Sequence, residues 1–86
     1  MSQYVDDQLT RRAMIANERW CRDRGLIADQ PANSSGLVQV GGQQYVHLYN
    51  ARGTLAVYAV FQSWSSAPRI SRLPDAEWPD EFRLEP

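Results

Sequence analysis

His47 and Cys21 are the only histidine and the only cysteine among 86 residues. They are therefore the one pair from which a thiol nucleophile and its base could be assembled. Such a pair needs contact and a third group that orients the base. Cys21 follows Trp20 in a segment whose apolar residues recur at helical spacing, and a free cysteine on such a stripe is more often a small hydrophobe than a nucleophile. No local signature accompanies either residue. The chain is read as non-enzymatic, with no catalytic residue, and His47 as a platform or core residue whose protonation can respond to pH.

Other chemistry is weaker still. Asp75, Glu77, Asp80 and Glu81 cluster near the C-terminus, but without the alternating aspartates and glycine of a calcium loop they read as a solvated acidic tail. Gly41-Gly42 lacks the lysine and the following helix of a phosphate loop. One cysteine excludes an internal disulfide and a thiolate metal cluster. No cofactor and no metal are expected.

Binding residues are better represented. Tyr45, His47 and Tyr49 alternate along one segment, so on a strand their side chains share a face. Tyr58 lies in the next segment, and Trp64 sits among serines in a loop, where a tryptophan either folds back or anchors a partner. These five residues, Tyr45, His47, Tyr49, Tyr58 and Trp64, are the candidate protein-binding set. Tyrosines in a row can also stack single-stranded bases, and Arg11, Arg12, Arg19 and Arg22 offer phosphate contacts. Against that, the net charge is −1, and Asp7, Glu18 and Asp23 dilute the arginines. A core or interface built of tyrosines outweighs the nucleic-acid alternative.

The elements that position these residues follow from periodicity. Residues 5–24 read as a helix, with Val5, Leu9, Ala13, Ala16 and Trp20 in one stripe and Met14, Ile15 and Cys21 widening it. Gly25 stands where a helix C-terminus needs a left-handed residue. Residues 29–36 are a loop by composition. Strands are expected at 37–40, 43–49, 54–62 and, as an edge, 69–73. The first hairpin turns at Gly41-Gly42, since paired glycines supply positive φ, and the second at Asn50 to Gly53. Gly53 suits the left-handed position of a type I turn with a bulge, and with Ala51-Arg52-Gly53 as the loop Tyr49 falls opposite Leu55, His47 opposite Val57 and Tyr45 opposite Ala59. Residues 74–86 form an acidic tail with Trp78 and Phe82 as anchors.

The expected architecture is α+β: one N-terminal helix packed on a three- to four-stranded antiparallel meander. A chain this short makes one domain with a thin core. Both faces of its sheet carry apolar residues. Val38, Val40, Tyr45, His47, Tyr49, Leu55, Val57, Ala59 and Phe61 fall on one, Leu37, Val46, Leu48, Ala56, Tyr58 and Val60 on the other. One helix covers one face, and a short acidic tail covers only part of the second. That surplus points to a non-catalytic protein-binding domain, of adaptor or inhibitor type, that also associates with itself as a homodimer. No segment is apolar enough to span a bilayer, and the first residues do not form a secretion signal. A cytoplasmic location is expected. The Arg-only basic complement fits a GC-rich prokaryotic, phage or plasmid origin.

Overall fold

The computed structural model describes residues 3–62 and 67–83, with helix side chains from Gln8 onward. Helix α1 (Gln3–Asp23) precedes strands β1 (Gly36–Val40), β2 (Gln43–Asn50), β3 (Gly53–Phe61) and β4 (Arg69–Arg72). The strands form one antiparallel sheet in the order β1-β2-β3-β4. The fold is α+β, with the helix on one sheet face. Two single-turn 3₁₀ helices, Asp75–Glu77 and Asp80–Phe82, follow β4. Trp64 and Glu85 lie outside the described residues.

The helix ends as its sequence requires. Gly25 takes φ +70°, and the amides of Gly25 and Leu26 bond back to the carbonyls of Arg22 and Cys21 at 3.1 and 2.8 Å. This pair of bonds satisfies carbonyls the helix would otherwise leave open. Its buried ladder is Leu9, Ala13, Asn17 and Cys21, four residues apart, so each side chain stacks one turn above the last. Ala16 and Met14 pack on the core from beside the ladder. Ile15, expected to widen the stripe, is 50% exposed. Trp20 is half-buried at the margin.

Against α1 the sheet presents Val46, Leu48, Ala56, Tyr58 and Val60, with Leu37 and Ile70 packed alongside. Burying each of the larger aliphatic side chains stabilises the fold by about 1.5–3 kcal/mol, an upper estimate for a chain whose unfolded state is itself compact. The first hairpin closes through Gly41 and Gly42 at φ +54° and +86°, the twist that matches paired strands.

The second hairpin departs from the expected register. His47 pairs with Val57 and Tyr45 with Ala59, but a bulge shifts the ladder so that Tyr49 meets Thr54 and Leu55 pairs with nothing. The extra residue turns Leu55 toward the helix-side core, away from the face on which strict alternation put it. Thr54 takes the place opposite Tyr49. Phe61, last of the apolar row read on that face, is 45% exposed at the end of β3.

The tail covers the centre of the second sheet face. The Leu73 amide extends the ladder to the Val57 carbonyl at 2.9 Å, and the Trp78 indole N–H bonds the Leu73 carbonyl at 3.2 Å. Phe82 then lands on the sheet and is only 3% exposed. Beneath it His47, Val57 and Ala59 are buried, whereas Val38 at the flank stays 38% exposed.

Candidate functional site

Phe82 meets two of the three alternating rings of β2. Its ring centroid lies 4.3 Å from that of His47 and 5.6 Å from that of Tyr45, edge-on. His47 is stacked on Tyr49 at 4.7 Å. The alternation read from sequence therefore does place Tyr45, His47 and Tyr49 on one face, but the chain's own phenylalanine occupies the platform.

The polar atoms of this cluster fix one another. The Thr54 hydroxyl donates its single proton to the Phe82 carbonyl. Its contact with His47 Nε2 at 2.7 Å must then be an acceptance, so neutral His47 carries its proton on Nε2. Burial holds the His47 pKa below its ordinary 6.5. The bulge makes this arrangement, since an unbroken ladder would put Leu55 where the Thr54 hydroxyl stands. Ser35, also buried, clamps the far end of β2. Its hydroxyl donates to the Tyr49 carbonyl and accepts from the Tyr49 amide, both at 3.0 Å, doing with a side chain what a ladder pair does with backbone. The Tyr49 hydroxyl meets Ser34 at 2.6 Å.

Tyr58 lies on the opposite face, buried under α1. Arg72 Nη1 donates to the Tyr58 hydroxyl at 3.1 Å and to Asn17 Oδ1 at 2.9 Å. The Arg72 guanidinium lies 3.7 Å over the Trp20 ring, and Arg24 lies 4.2 Å over the same ring. Burial raises the Tyr58 pKa, and the bond and charge of Arg72 pull it back down. Asn17 and Ser35 were missed in the sequence reading. For Asn17 a signal existed: a polar residue in the middle of an apolar i, i+4 ladder has to find a buried partner.

Cys21 belongs to this helix-side cluster, its thiol 4.0 Å from Asn17 Oδ1. His47 is on the tail side. The sheet separates them, so the two cannot act as a nucleophile and base. Among the described residues no group of three His, Cys, Asp or Glu side chains is placed to hold a metal ion. No described helix is long and apolar enough to cross a membrane.

The arginines divide differently. Arg11, Arg19 and Arg22 are exposed on α1. Arg12 bonds the Pro68 carbonyl at 2.7 Å, and with Ile15, Arg19 and Ile70 it lines a shallow groove of about 280 Å³ between α1 and β4. Among the described residues, ion pairs involve only Arg52 with Asp29 and Arg83 with Asp80.

The edges of the sheet are unequal. β4 is four residues long, is bracketed by Pro68 and Pro74 and carries Arg69 and Arg72. Short length, charge and proline protect an edge from further pairing. β1, Gly-Leu-Val-Gln-Val, is one residue longer and has neither charge nor proline. Its closing pair next to the two-glycine turn is Val40 with Gln43, and hydrogen-bonded and non-bonded pairs alternate from there. The N–H and C=O groups of Leu37 and Gln39 consequently point outward, and no described residue meets them.

No family model, no curated protein and no solved structure matches this chain.

Proposed function

We propose that the protein is a small non-catalytic binding module that engages another protein, its own copies included, at the β1 edge of the sheet. The observation that carries this is the contrast between covered faces and a bare edge. α1 covers one face and Phe82 the centre of the other, while the outward backbone groups of Leu37 and Gln39 have no partner among the described residues. Beside them Val38 is partly exposed on a strand with no charged residue. The site differs from the tyrosine platform in one respect: Tyr45 and Tyr49 border the edge rather than forming the contact, and His47 and Tyr58 are buried. An added strand takes its affinity from main-chain hydrogen bonds and its selectivity from alternate side chains. Immobilised full-length protein and its Val38→Lys variant, compared as baits in extract of the native host, test this. A partner retained by the first and lost by the second supports the reading. Equal retention by both refutes the β1 site.

A second reading rests on the arginines of α1 and β4, none of which has a carboxylate partner among the described residues. In it the helix face with Arg11, Arg12, Arg19 and Arg22 tracks a phosphate backbone. Binding of single-stranded oligonucleotide that weakens steeply with salt and is lost in Arg12→Gln/Arg19→Gln protein would favour it over the first.

A further inference from the structure

We infer that the occupant of the β1 edge is a second copy of β1, paired antiparallel about a two-fold axis through Val38; this rests on the edge-binding reading above. Each copy presents outward the N–H and C=O of Leu37 and of Gln39, two positions placed symmetrically about Val38. When Val38 faces Val38 of the second copy, Leu37 of each falls opposite Gln39 of the other, and all of these groups bond across the axis. A shift by one residue sets outward-pointing groups against inward-pointing ones and loses the bonds.

The side chains agree with this register. Gly36 falls opposite Val40 of the second copy, so the position lacking a Cβ meets the larger residue. Val38 pairs with Tyr45 across β1 and β2, and Tyr45 with Ala59 across β2 and β3. Contact between the two Val38 side chains makes this row continuous through both sheets, on the face where Phe82 packs against Tyr45. β1 has no charge to repel its copy, whereas β4 is guarded by Arg69, Arg72 and flanking prolines. One edge joins and the other stops, so the assembly closes at two chains instead of growing into a fibre.

The register gives a sharp test. In a non-hydrogen-bonded antiparallel pair the Cα atoms lie about 4.5 Å apart, within the roughly 4.4–6.8 Å that a disulfide spans. Val38→Cys protein, oxidised in air, should become a disulfide-linked dimer. Gln39→Cys should not, because its thiols sit about 8 Å apart at the Cα atoms in this register. Cys21 is buried and present in both variants, so it cancels in the comparison. Light scattering of the wild-type chain should show the mass rising from one chain toward two as concentration increases to about 1 mM. Val38→Lys should remain one chain with an unchanged circular dichroism spectrum. Gln39→Pro, which removes an outward N–H and leaves the β1–β2 ladder its bonds, should also reduce the dimer. Equal cross-linking at positions 38 and 39, or a wild-type mass of one chain throughout, would overturn the two-fold pairing. A monomeric wild type that retains a different host protein through Val38 overturns the second copy and leaves the edge reading standing. A monomer that retains nothing overturns both.

Discussion

Replacing Phe82 by alanine should detach the tail from the sheet, with an effect that can be sized in advance. The ring is 3% exposed and lies 4.3 Å from His47 and 5.6 Å from Tyr45. Truncating a buried phenylalanine removes about 3–5 kcal/mol. The lower end applies here, because the segment can leave altogether, so that no closed cavity remains and chain entropy is regained. A domain of 86 residues has a net stability of about 4–13 kcal/mol, so a loss of about 3 kcal/mol is a large fraction of it. At roughly 4–8 °C per kcal/mol the melting temperature should fall by about 12–24 °C. A second readout separates this mechanism from general destabilisation. His47 titrates below 6.5 because it is buried, so without Phe82 its ring resonances should titrate closer to that value, and the backbone amides of residues 73–83 should exchange faster than those of β2 and β3. A melting point lowered by less than about 4 °C, with the His47 titration unchanged, would refute the claim that Phe82 seals this face.

Three further outcomes follow from single contacts. His47 is neutral in the fold and its pKa lies below 6.5, so its contribution to stability is complete above that pH and is lost as pH falls through the native value; urea midpoints should drop on acidification in wild type and less so in His47→Gln. Arg72→Met removes the guanidinium that donates to Asn17 Oδ1 and to the Tyr58 hydroxyl, which should lower stability by about 1–3 kcal/mol in urea unfolding. Because Arg72 holds the Tyr58 pKa down against the larger effect of burial, absorbance titration of the folded variant should find that pKa raised further. Gly42→Ala has open space for its methyl group but a φ of +86°, so calorimetry should show a loss of about 1–2 kcal/mol from backbone strain alone.

The sheet was legible in the sequence because its signals are local. Paired glycines fix one hairpin, apolar alternation fixes the faces, and Gly25 ends the helix. The place of the bulge was not legible: Gly53 suggests one within the turn, whereas Gly53 pairs with Asn50 and Leu55 is the residue left over. An Asn-Ala-Arg-Gly turn is compatible with more than one pairing, and the choice depends on Thr54 reaching both His47 and the Phe82 carbonyl, a contact 28 residues away in sequence. The same distance hid the fate of Phe82 itself. Its spacing from Trp78 suggested an anchor, but nothing local says which face an anchor closes. The helix stripe failed at one position for a geometric reason: Ile15 follows the apolar ladder in type but sits over the open groove between α1 and β4, beside Ile70, and remains exposed. Asn17 fills an apolar rung because Arg72, on the last strand, meets it on the helix side of the sheet.

Salt separates the two modes of binding by the sign of its effect. A two-fold axis through the Val38 pair stands perpendicular to the sheet, so both helices lie on one face of the joined sheet and both tails on the other. The exposed Arg11, Arg19 and Arg22 of one copy then share a face with those of the next, and the exposed Asp75, Glu77, Asp80 and Glu81 do likewise. Like charges brought to one face repel, and with a Debye length of about 10 Å at 0.1 M salt that repulsion is screened as salt rises. The β1 contact itself is uncharged. Association of two chains should therefore hold constant or strengthen as salt is raised from about 0.05 to 0.5 M. Phosphate contacts by the same arginines would weaken over that interval, by roughly 10³-fold or more if many phosphates are neutralised. Sedimentation equilibrium across the salt series measures the first, and fluorescence anisotropy of a labelled oligonucleotide measures the second. A dimer that dissociates steeply with salt would show that the chains are held by opposite charges, the arginine face of one against the acidic tail of the next. That head-to-tail arrangement is incompatible with an axis at Val38.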